Sequence, residues 1–270
     1  MDEFFLFFPH ILTNVHNPFP MPKCWLSGHL QDSLPAQWWV TDKCDGERFQ
    51  LMIGKTQTLM VSRSLIFYRQ KHCSIAQQTL LDGEMLVDHD GNKMYCIFDC
   101  HTWKGEDVTH LDIQDRLAKV NIDCVQLRFP VMKKLLYCAS QLRTMTTVRD
   151  YSSDGLIFIK KNTEFPYFAT DSMLKWKPTV TVDLMGHAGS FFARDRQMYV
   201  DAGLFVTNPE FVNEESVIWE IELQQGSAQI IGKRSDKKHP NSILTVVDCI
   251  EACAITKTQL DEWVELADRT

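Results

Sequence analysis

The 270-residue chain has nine cysteines but no C-x-x-C pair and no histidines at a matching spacing. Cys24, Cys44, Cys73, Cys96, Cys100, Cys124, Cys138, Cys249 and Cys253 are odd in number, which argues against a disulfide framework or a structural zinc and for reduced thiols in an intracellular compartment. The i, i+4 pairs Cys96/Cys100 and Cys249/Cys253 read as small buried apolar side chains. No stretch approaches the roughly 18 to 20 continuous apolar residues of a membrane span, so no membrane partner is expected. Positive charge is short as well. Against 35 Asp+Glu stand 28 Lys+Arg, and the net charge of -7 speaks against wrapping long nucleic acid over the whole surface, leaving only a local basic channel. There is no internal repeat, low-complexity linker or localisation signal. The apolar start Phe4 to Phe8 comes after acidic Asp2 and Glu3 and stops at Pro9, so buried structure is expected there, not a targeting segment.

What is present is a globular composition, with 44% hydrophobic residues, enough for one large core or two modest ones. Short apolar or alternating runs at Trp38 to Val40, Arg48 to Ile53, Thr58 to Val61, Leu65 to Tyr68, Glu84 to Val87 and Tyr95 to Phe98 are punctuated by Gly46, Gly54, Asp82-Gly83 and Asp90-Gly91-Asn92. These predict antiparallel strands joined by tight turns. Ile113, Leu117 and Val120 recur at helical spacing behind Asp112, predicting a helix over 112–120, and a second helix is predicted over 131–142. Strands are predicted again at 156–160, 173–176, 198–206, 217–223 and 228–231. The chain closes with predicted helices at 242–253 and 258–267. The last has an apolar face of Leu260, Trp263, Val264 and Ala267 behind a capping box at Thr256-x-x-Gln259 or Thr258-x-x-Asp261.

The most informative stretch is Lys43-Cys44-Asp45-Gly46-Glu47-Arg48, a candidate nucleophilic amine two residues before an acid and a glycine. Alone it is also a polar hairpin turn with a solvated lysine, so its weight comes from the ordered residues C-terminal to it. Phosphoryl transfer to a lysine needs a neutral amine, balanced triphosphate charge, a grip on sugar and base, and a metal site. Arg63 ends a strand with reach for a ribose or phosphate. Glu84, an acid on an apolar strand, suits a ribose hydroxyl or a metal, and Phe98-Asp99 pairs an aromatic ring with an acid, which suits a purine. Asp154 precedes a buried strand and suits a divalent cation. Lys175 and Lys177 alternate on one strand face, so both ammonium groups point at phosphate. Singly, Asp82-Gly83 is a common turn, Phe98 a core residue, Asp154 a turn end and the two lysines a solvated face. The joint order is far harder to reach by accident.

In this order the residues resemble the mRNA guanylyltransferases, or capping enzymes, of the covalent nucleotidyltransferase superfamily that also holds DNA and RNA ligases. The resemblance runs from about Phe19 to Ala252 and begins at Asn17-Pro18-Phe19-Pro20, ahead of the lysine. Leu174-Lys175-Trp176-Lys177-Pro178 with Thr181-Val182-Asp183 is similar to the capping-type L-K-W-K-P and T-V-D-F run, and Asp154 stands where ligases more often carry glutamate. Arg234-Ser235-Asp236-Lys237-Lys238-His239-Pro240-Asn241 resembles the family's R-x-D-K-x-x-P-N signature. Ser62 replaces the acid usual before Arg63, and Leu184 the aromatic usual after Asp183; neither removes a charged group that the chemistry requires.

The resemblance implies an α+β fold: an antiparallel-sheet nucleotidyltransferase (ATP-grasp/ligase-like) domain over 1–180, then an OB-fold β-barrel domain over 181–270 with C-terminal helices, the last packing on the first domain. A cleft between the domains is expected to hold GTP. It further implies that Lys43 takes GMP from GTP as a lysyl-N-GMP adduct and passes it to the diphosphate 5′ end of RNA, forming the GpppN cap. Lys175, Lys177 and Mg²⁺ or Mn²⁺ are expected to favour the neutral amine and to balance phosphate charge, with Asp154 and Glu84 as metal ligands. Arg48 and Arg63 are expected on phosphate or ribose, Glu84 on ribose, Phe98 and Lys134 on guanine. Arg234 and Lys237 are expected to close onto the outer phosphates from the second domain, and Asp236 of the same motif is expected to belong to the GTP-binding residues. Only 42 residues precede Lys43, so RNA triphosphatase, cap methyltransferase and RNA polymerase are expected from other chains, in the nucleus or a cytoplasmic viral factory. An ATP-dependent polynucleotide ligase and an inactive scaffold paralogue are the competing readings.

Overall fold

The computed structural model describes residues 19–20, 34–71, 73, 75, 77–145, 150–166, 172–207, 217–224, 227–253 and 255–267. The apolar run Met1 to Pro9 and Asn17-Pro18 lie outside them. The architecture is α+β, mostly antiparallel sheet with few helices. The chain divides into two compact units, whose described residues are chiefly 34–175 and 176–267.

The first unit holds two sheets. In one, the order is β5 (Phe67–Gln70), β4 (Thr58–Ser62), β3 (Glu47–Ile53), β6 (Thr79–Val87), β7 (Lys93–Trp103) and β8 (Glu106–Asp107), with β9 (Val131–Lys133) parallel to β7. In the other it is β1 (Phe19–Pro20), β12 (Met173–Trp176), β11 (Ser153–Lys160), β2 (Trp38–Cys44) and β10 (Tyr137–Cys138). Period-2 alternation sends the two faces of β3 into different apolar clusters: Phe49, Leu51 and Ile53 into the main core, and Met52 into a smaller one with Leu59, Val61 and Leu80. Helix α1 (Ile113–Lys119) starts where Asp112 caps it, accepting from the Gln114 N–H at 2.8 Å, and seats Ile113 and Leu117 in the main core.

The second unit has a sheet ordered β15 (Met198–Asp201), β14 (Ser190–Asp195), β13 (Val180–His187), β16 (Val217–Gln224) and β17 (Ser227–Lys233). Helix α2 (Ile243–Ala252), capped by Ser242, packs Val246 and Cys249 on Val182, Leu184 and Ile221. Strand pairing among the described residues does not close this sheet into a barrel. Before α3 (Lys257–Ala267), Thr256 and Gln259 exchange bonds, Thr256 N–H to Gln259 Oε1 at 2.9 Å and Gln259 N–H to Thr256 Oγ1 at 3.2 Å, which makes the first of the two predicted capping boxes the real one.

Three sequence expectations fail, the first being Asp82-Gly83, expected as a turn, which lies in the middle of β6 with Gln50 and Phe49 opposite. Residues 131–142 are not a helix. Tyr95 N–H donates to Pro130 O at 2.9 Å and Lys134 N–H to Ile97 O at 2.8 Å, so the open edge of β7 takes the segment as β9; β10 and a 3-10 turn over Ala139–Thr144 come next. Pairing with a ready sheet edge outweighs local helix propensity. The strand expected over 198–206 stops at Asp201, whose carboxylate accepts from the Gly203 N–H at 2.8 Å and turns the chain.

Candidate active site

Lys43 lies near the end of β2 and Arg48 near the start of β3, so the K-x-D-G-x-R stretch is the crossing from one sheet of the first unit to the other. Its glycine is required by that crossing. A Cβ at Gly46 would sit 2.4 Å from the Met85 carbonyl oxygen and 2.7 Å from Leu86 Cδ2, while the Gly46 N–H donates to Glu84 Oε1 at 3.1 Å. The loop therefore lies flush on β6 and ties Lys43 to Glu84. A cavity of about 490 Å³ opens beside it, and Lys43, Arg48, Arg63, Glu84, Phe98 and Lys134 all line it.

Asp154 meets the lysine directly: Lys43 Nζ donates to Asp154 Oδ1 at 2.6 Å. In the β11–β2 ladder Ser153 opposes Cys44 and Gly155 opposes Lys43, which leaves Asp154 as the extra residue of a β-bulge. The bulge turns its side chain toward the amine on the neighbouring strand. Phe98 is placed the same way. Asp82 opposes Asp99 and Gly83 opposes Ile97, so Phe98 is the unpaired residue of a bulge in β7. The Arg48 guanidinium stands 5.1 Å from its ring centroid.

Arg48 is also held by Asp82, through Nε to Oδ1 at 2.9 Å and through a second, shorter bond from NH2 to Oδ2. Burial alone would push the Asp82 carboxyl up, but Arg48 and nearby His101 outweigh it and hold it at about 2. Among the described residues Glu84 has no such partner, and burial raises it above its ordinary value despite the Gly46 N–H.

Lys134 lies buried on the far wall. Its Nζ donates to Asp42 Oδ2 at 2.8 Å and to Cys44 Sγ, and lies 5.5 Å from the Tyr151 ring centroid. Burial favours the neutral amine, but the surrounding negative charge, Asp42 included, outweighs it, so Lys134 keeps its proton. The sequence gives Asp42 no role, because the partner that explains it lies 92 residues away.

Behind Phe98, Asp99 accepts two bonds from the fully buried Arg116, at 2.7 and 2.8 Å. In the sequence Arg116 is marked only as part of a helix. His101, the extra residue of a second bulge in β7, is buried with no hydrogen bond at either ring nitrogen among the described residues; Asp82 Oδ2 is 3.7 Å away, and the Phe165 ring packs on it, tilted, at 4.0 Å between centroids. No sequence motif marks it.

The other predicted residues lie elsewhere. Lys175 is half-buried on β12, in the same sheet as Lys43, and Lys177 comes just after that strand; neither lines the cavity. Arg234, Asp236 and Lys237 belong to the second unit. There Arg234 bonds both oxygens of Asp236 at 2.8 Å and Asp183 Oδ1 at 2.9 Å, and Lys237 Nζ lies 3.8 Å from Asp183 Oδ2. Arg234 holds the exposed Asp236 carboxyl at about 2.

A family model for the mRNA capping enzyme catalytic domain matches residues 17–150, about half the chain and the span that carries Lys43, Arg48, Arg63, Glu84, Phe98 and Lys134. The chain belongs to the mRNA capping enzyme family. The mRNA-capping enzyme of African swine fever virus (isolate Pig/Kenya/KEN-50/1950) is 28% identical over 159 residues, covering 54% of this chain and 18% of the viral protein. The chain thus matches under a fifth of that relative's length. Among solved structures, the ligase domain from M. tuberculosis LigD aligns with a TM-score of 0.43 and 17% identity, over 75% of this chain and 90% of that one. A mycobacterial DNA ligase D complexed with ATP and MES aligns with a TM-score of 0.44 and 16% identity, over 83% and 94%.

Nucleotidyltransferases of this kind use nucleotides and divalent metals. The described residues contain no group of three His, Cys, Asp or Glu side chains able to hold a metal on their own. The carboxylates of Asp154 and Glu84 are hard oxygen donors, and Mg²⁺ is commonly bound by one or two carboxylates together with substrate phosphates and water, so the donor set fits. Among the described residues no helix is long and apolar enough to cross a membrane.

Proposed function

We propose that the chain is an mRNA guanylyltransferase that carries GMP on Lys43 from GTP to the diphosphate 5′ end of RNA. The observation that carries this is Lys43 on the wall of a nucleotide-sized cavity, held at 2.6 Å by Asp154 and sharing that wall with Glu84, Arg48, Phe98 and Lys134. The Lys43 amine, once it has given up a proton, attacks the α-phosphorus of GTP. The N–P bond forms as the bond to the β-phosphate bridging oxygen breaks, and pyrophosphate leaves with that electron pair. In the second step a β-phosphate oxygen of the RNA end attacks the same phosphorus, the N–P bond breaks, and the amine recovers its proton.

Asp154 orients the amine and is the nearest acceptor for its proton. Glu84, held by the crossing loop, suits a ribose hydroxyl; Phe98 offers a face to guanine, and buried Lys134 an ammonium to the base. Arg48 and Arg63 serve phosphate or ribose, Lys175, Lys177, Arg234 and Lys237 handle triphosphate charge, and Asp236 holds the Arg234 guanidinium in the GTP-binding group. Mg²⁺ or Mn²⁺ on Asp154 and Glu84, when bound, supplies positive charge beside the transferring phosphoryl group. Domains of 1–180 and 181–270 are consistent with the two compact units, and the five-stranded sheet with α2 with an OB-type second domain. The reaction belongs inside the cell, in a nucleus or a viral factory, alongside triphosphatase, methyltransferase and polymerase functions.

Incubation with labelled GTP or labelled ATP, then a denaturing gel, tests the reading. An acid-labile adduct is expected with GTP only, absent in Lys43→Ala. An adduct with ATP alone makes the chain a ligase, and no adduct with either makes it a scaffold.

A further inference from the structure

We propose that the β4–β5 hairpin is the track on which single-stranded acceptor RNA lies as its 5′ end enters the cavity, an inference that rests on the guanylyltransferase reading. From Arg48 to Leu81 the chain has no Asp or Glu, yet it carries Arg48, Lys55, Arg63, Arg69 and Lys71. In a chain of net charge -7 this is a run of positive charge uninterrupted by any acid. Strand register connects it to the site. Arg48 opposes Glu84, Gln50 opposes Val61, and β5 adds Phe67 opposite Val61 and Arg69 opposite Leu59. Opposed residues share a face, so the side of the sheet that presents Arg48 and Glu84 continues outward to Phe67 and Arg69. Arg63 stands between them, exposed and on the cavity wall.

The hairpin also turns apolar groups outward: Leu65, Ile66, Phe67 and Tyr68 are 47%, 52%, 36% and 45% exposed. Phe67 is the ring on the Arg48 side, while Tyr68 takes the other face, edge-on against Phe49 at 5.7 Å. Leu65 at the tip has a φ of 58°, a left-handed conformation that leucine rarely adopts. Basic residues on an outer strand such as β5 guard against edge-to-edge pairing, and that alone would explain Arg69 and Lys71. It does not explain four exposed apolar side chains, which add to the hazard the charges would be guarding against. An exposed ring flanked by cations on one face matches single-stranded RNA: phosphates meet the cations, and a base stacks on Phe67 whatever its sequence.

The test uses the full chain and a 5′-diphosphate-ended single-stranded oligoribonucleotide. Three readouts are taken on wild type, Phe67→Ala and the Arg69→Glu/Lys71→Glu pair: adduct formation from GTP without RNA, KM for RNA in the transfer step, and RNA affinity by anisotropy over a salt series. Adduct formation is expected to match wild type, while KM and Kd rise at least roughly fivefold, the loss of one stacked base. In the charge-reversed pair the log–log salt slope is expected to flatten by about 0.7 per lost phosphate contact. Unchanged KM, Kd and salt slope overturn the proposal, including the case in which a protein partner docks here. If charge reversal disturbs adduct formation, Arg69→Gln/Lys71→Gln takes its place with the same readouts. Failure of the wild type to form any adduct sinks the guanylyltransferase reading separately, and the anisotropy arm still decides the track.

Discussion

Replacing Arg48 by Leu tests how the cavity wall is held up. The Asp82 side chain is only 1% exposed, and its two bonds from Arg48 are what keep it ionised. With the pair intact, its carboxyl is held at about 2 against an ordinary 3.8. A carboxyl depressed on folding contributes stability that is present above its unfolded value and lost as pH falls through its folded value. The pair's contribution, about 2 kcal/mol, should therefore persist to near pH 4 and disappear toward pH 2. Removing the arginine strands a buried carboxylate whose nearest remaining polar neighbour, His101, is 3.7 Å away, at a cost of about 3 to 5 kcal/mol at pH 7. In the variant, burial has lost its main opponent and the Asp82 carboxyl rises, so acidification protonates it in the folded state and the deficit narrows. Asp82→Asn added to Arg48→Leu should recover most of the loss. Denaturant melts of the three proteins at pH 7 and pH 5, monitored by far-UV circular dichroism, decide it. A deficit that does not narrow at pH 5, or a double variant no more stable than the single, would refute the reasoning.

Gly46→Ala should cost about 1 to 3 kcal/mol, because a backbone carbonyl 2.4 Å from the new Cβ cannot turn aside as a side chain would. It should also slow adduct formation, and a melting curve and labelled-GTP time course both matching wild type would count against the close-approach role of this glycine. Lys237→Ala should slow Lys43-GMP formation on the order of a hundredfold while sparing transfer from a preformed adduct to RNA; equal losses in the two steps would assign Lys237 a different role.

Much of the first unit is legible in the sequence because its strands are bounded by turn residues and its helix by a cap. β3, β4 and α1 run within a residue of their predicted bounds for that reason. The β13–β14 hairpin escapes sequence reading: its two-residue turn, Ala188-Gly189, puts alanine at a φ of 48° where asparagine or glycine is the usual signal. Residues 131–142 carry helix-forming side chains, and it takes the edge of β7, more than thirty positions earlier, to draw 131–133 into a strand and the edge of β2 to do the same for Tyr137 and Cys138. Of the site, the charged motif residues are legible in order. How they are aimed is not: a bulge leaves no mark in composition or period, and Asp154 and Phe98 both depend on one.

The two irregularities in β7 work as an offset and its cancellation. Phe98 shifts the alternation of the strand by one residue and His101 shifts it back. Residues sharing the Glu84 face of the sheet therefore recur every third position, at Cys96, Asp99 and Thr102, and sequence neighbours Phe98 and Asp99 both reach the cavity, which a regular strand forbids. Deleting Phe98 alone makes the ladder regular at that point and leaves Ile97 and Cys100 on the core face, because the pairing on either side of the bulge is already in step. Deleting His101 as well leaves an in-frame strand with an intact core and no aromatic in the cavity wall from β7. The strand thus keeps two ledgers in one frame, one for folding and one for the nucleotide, and the second can be erased without touching the first.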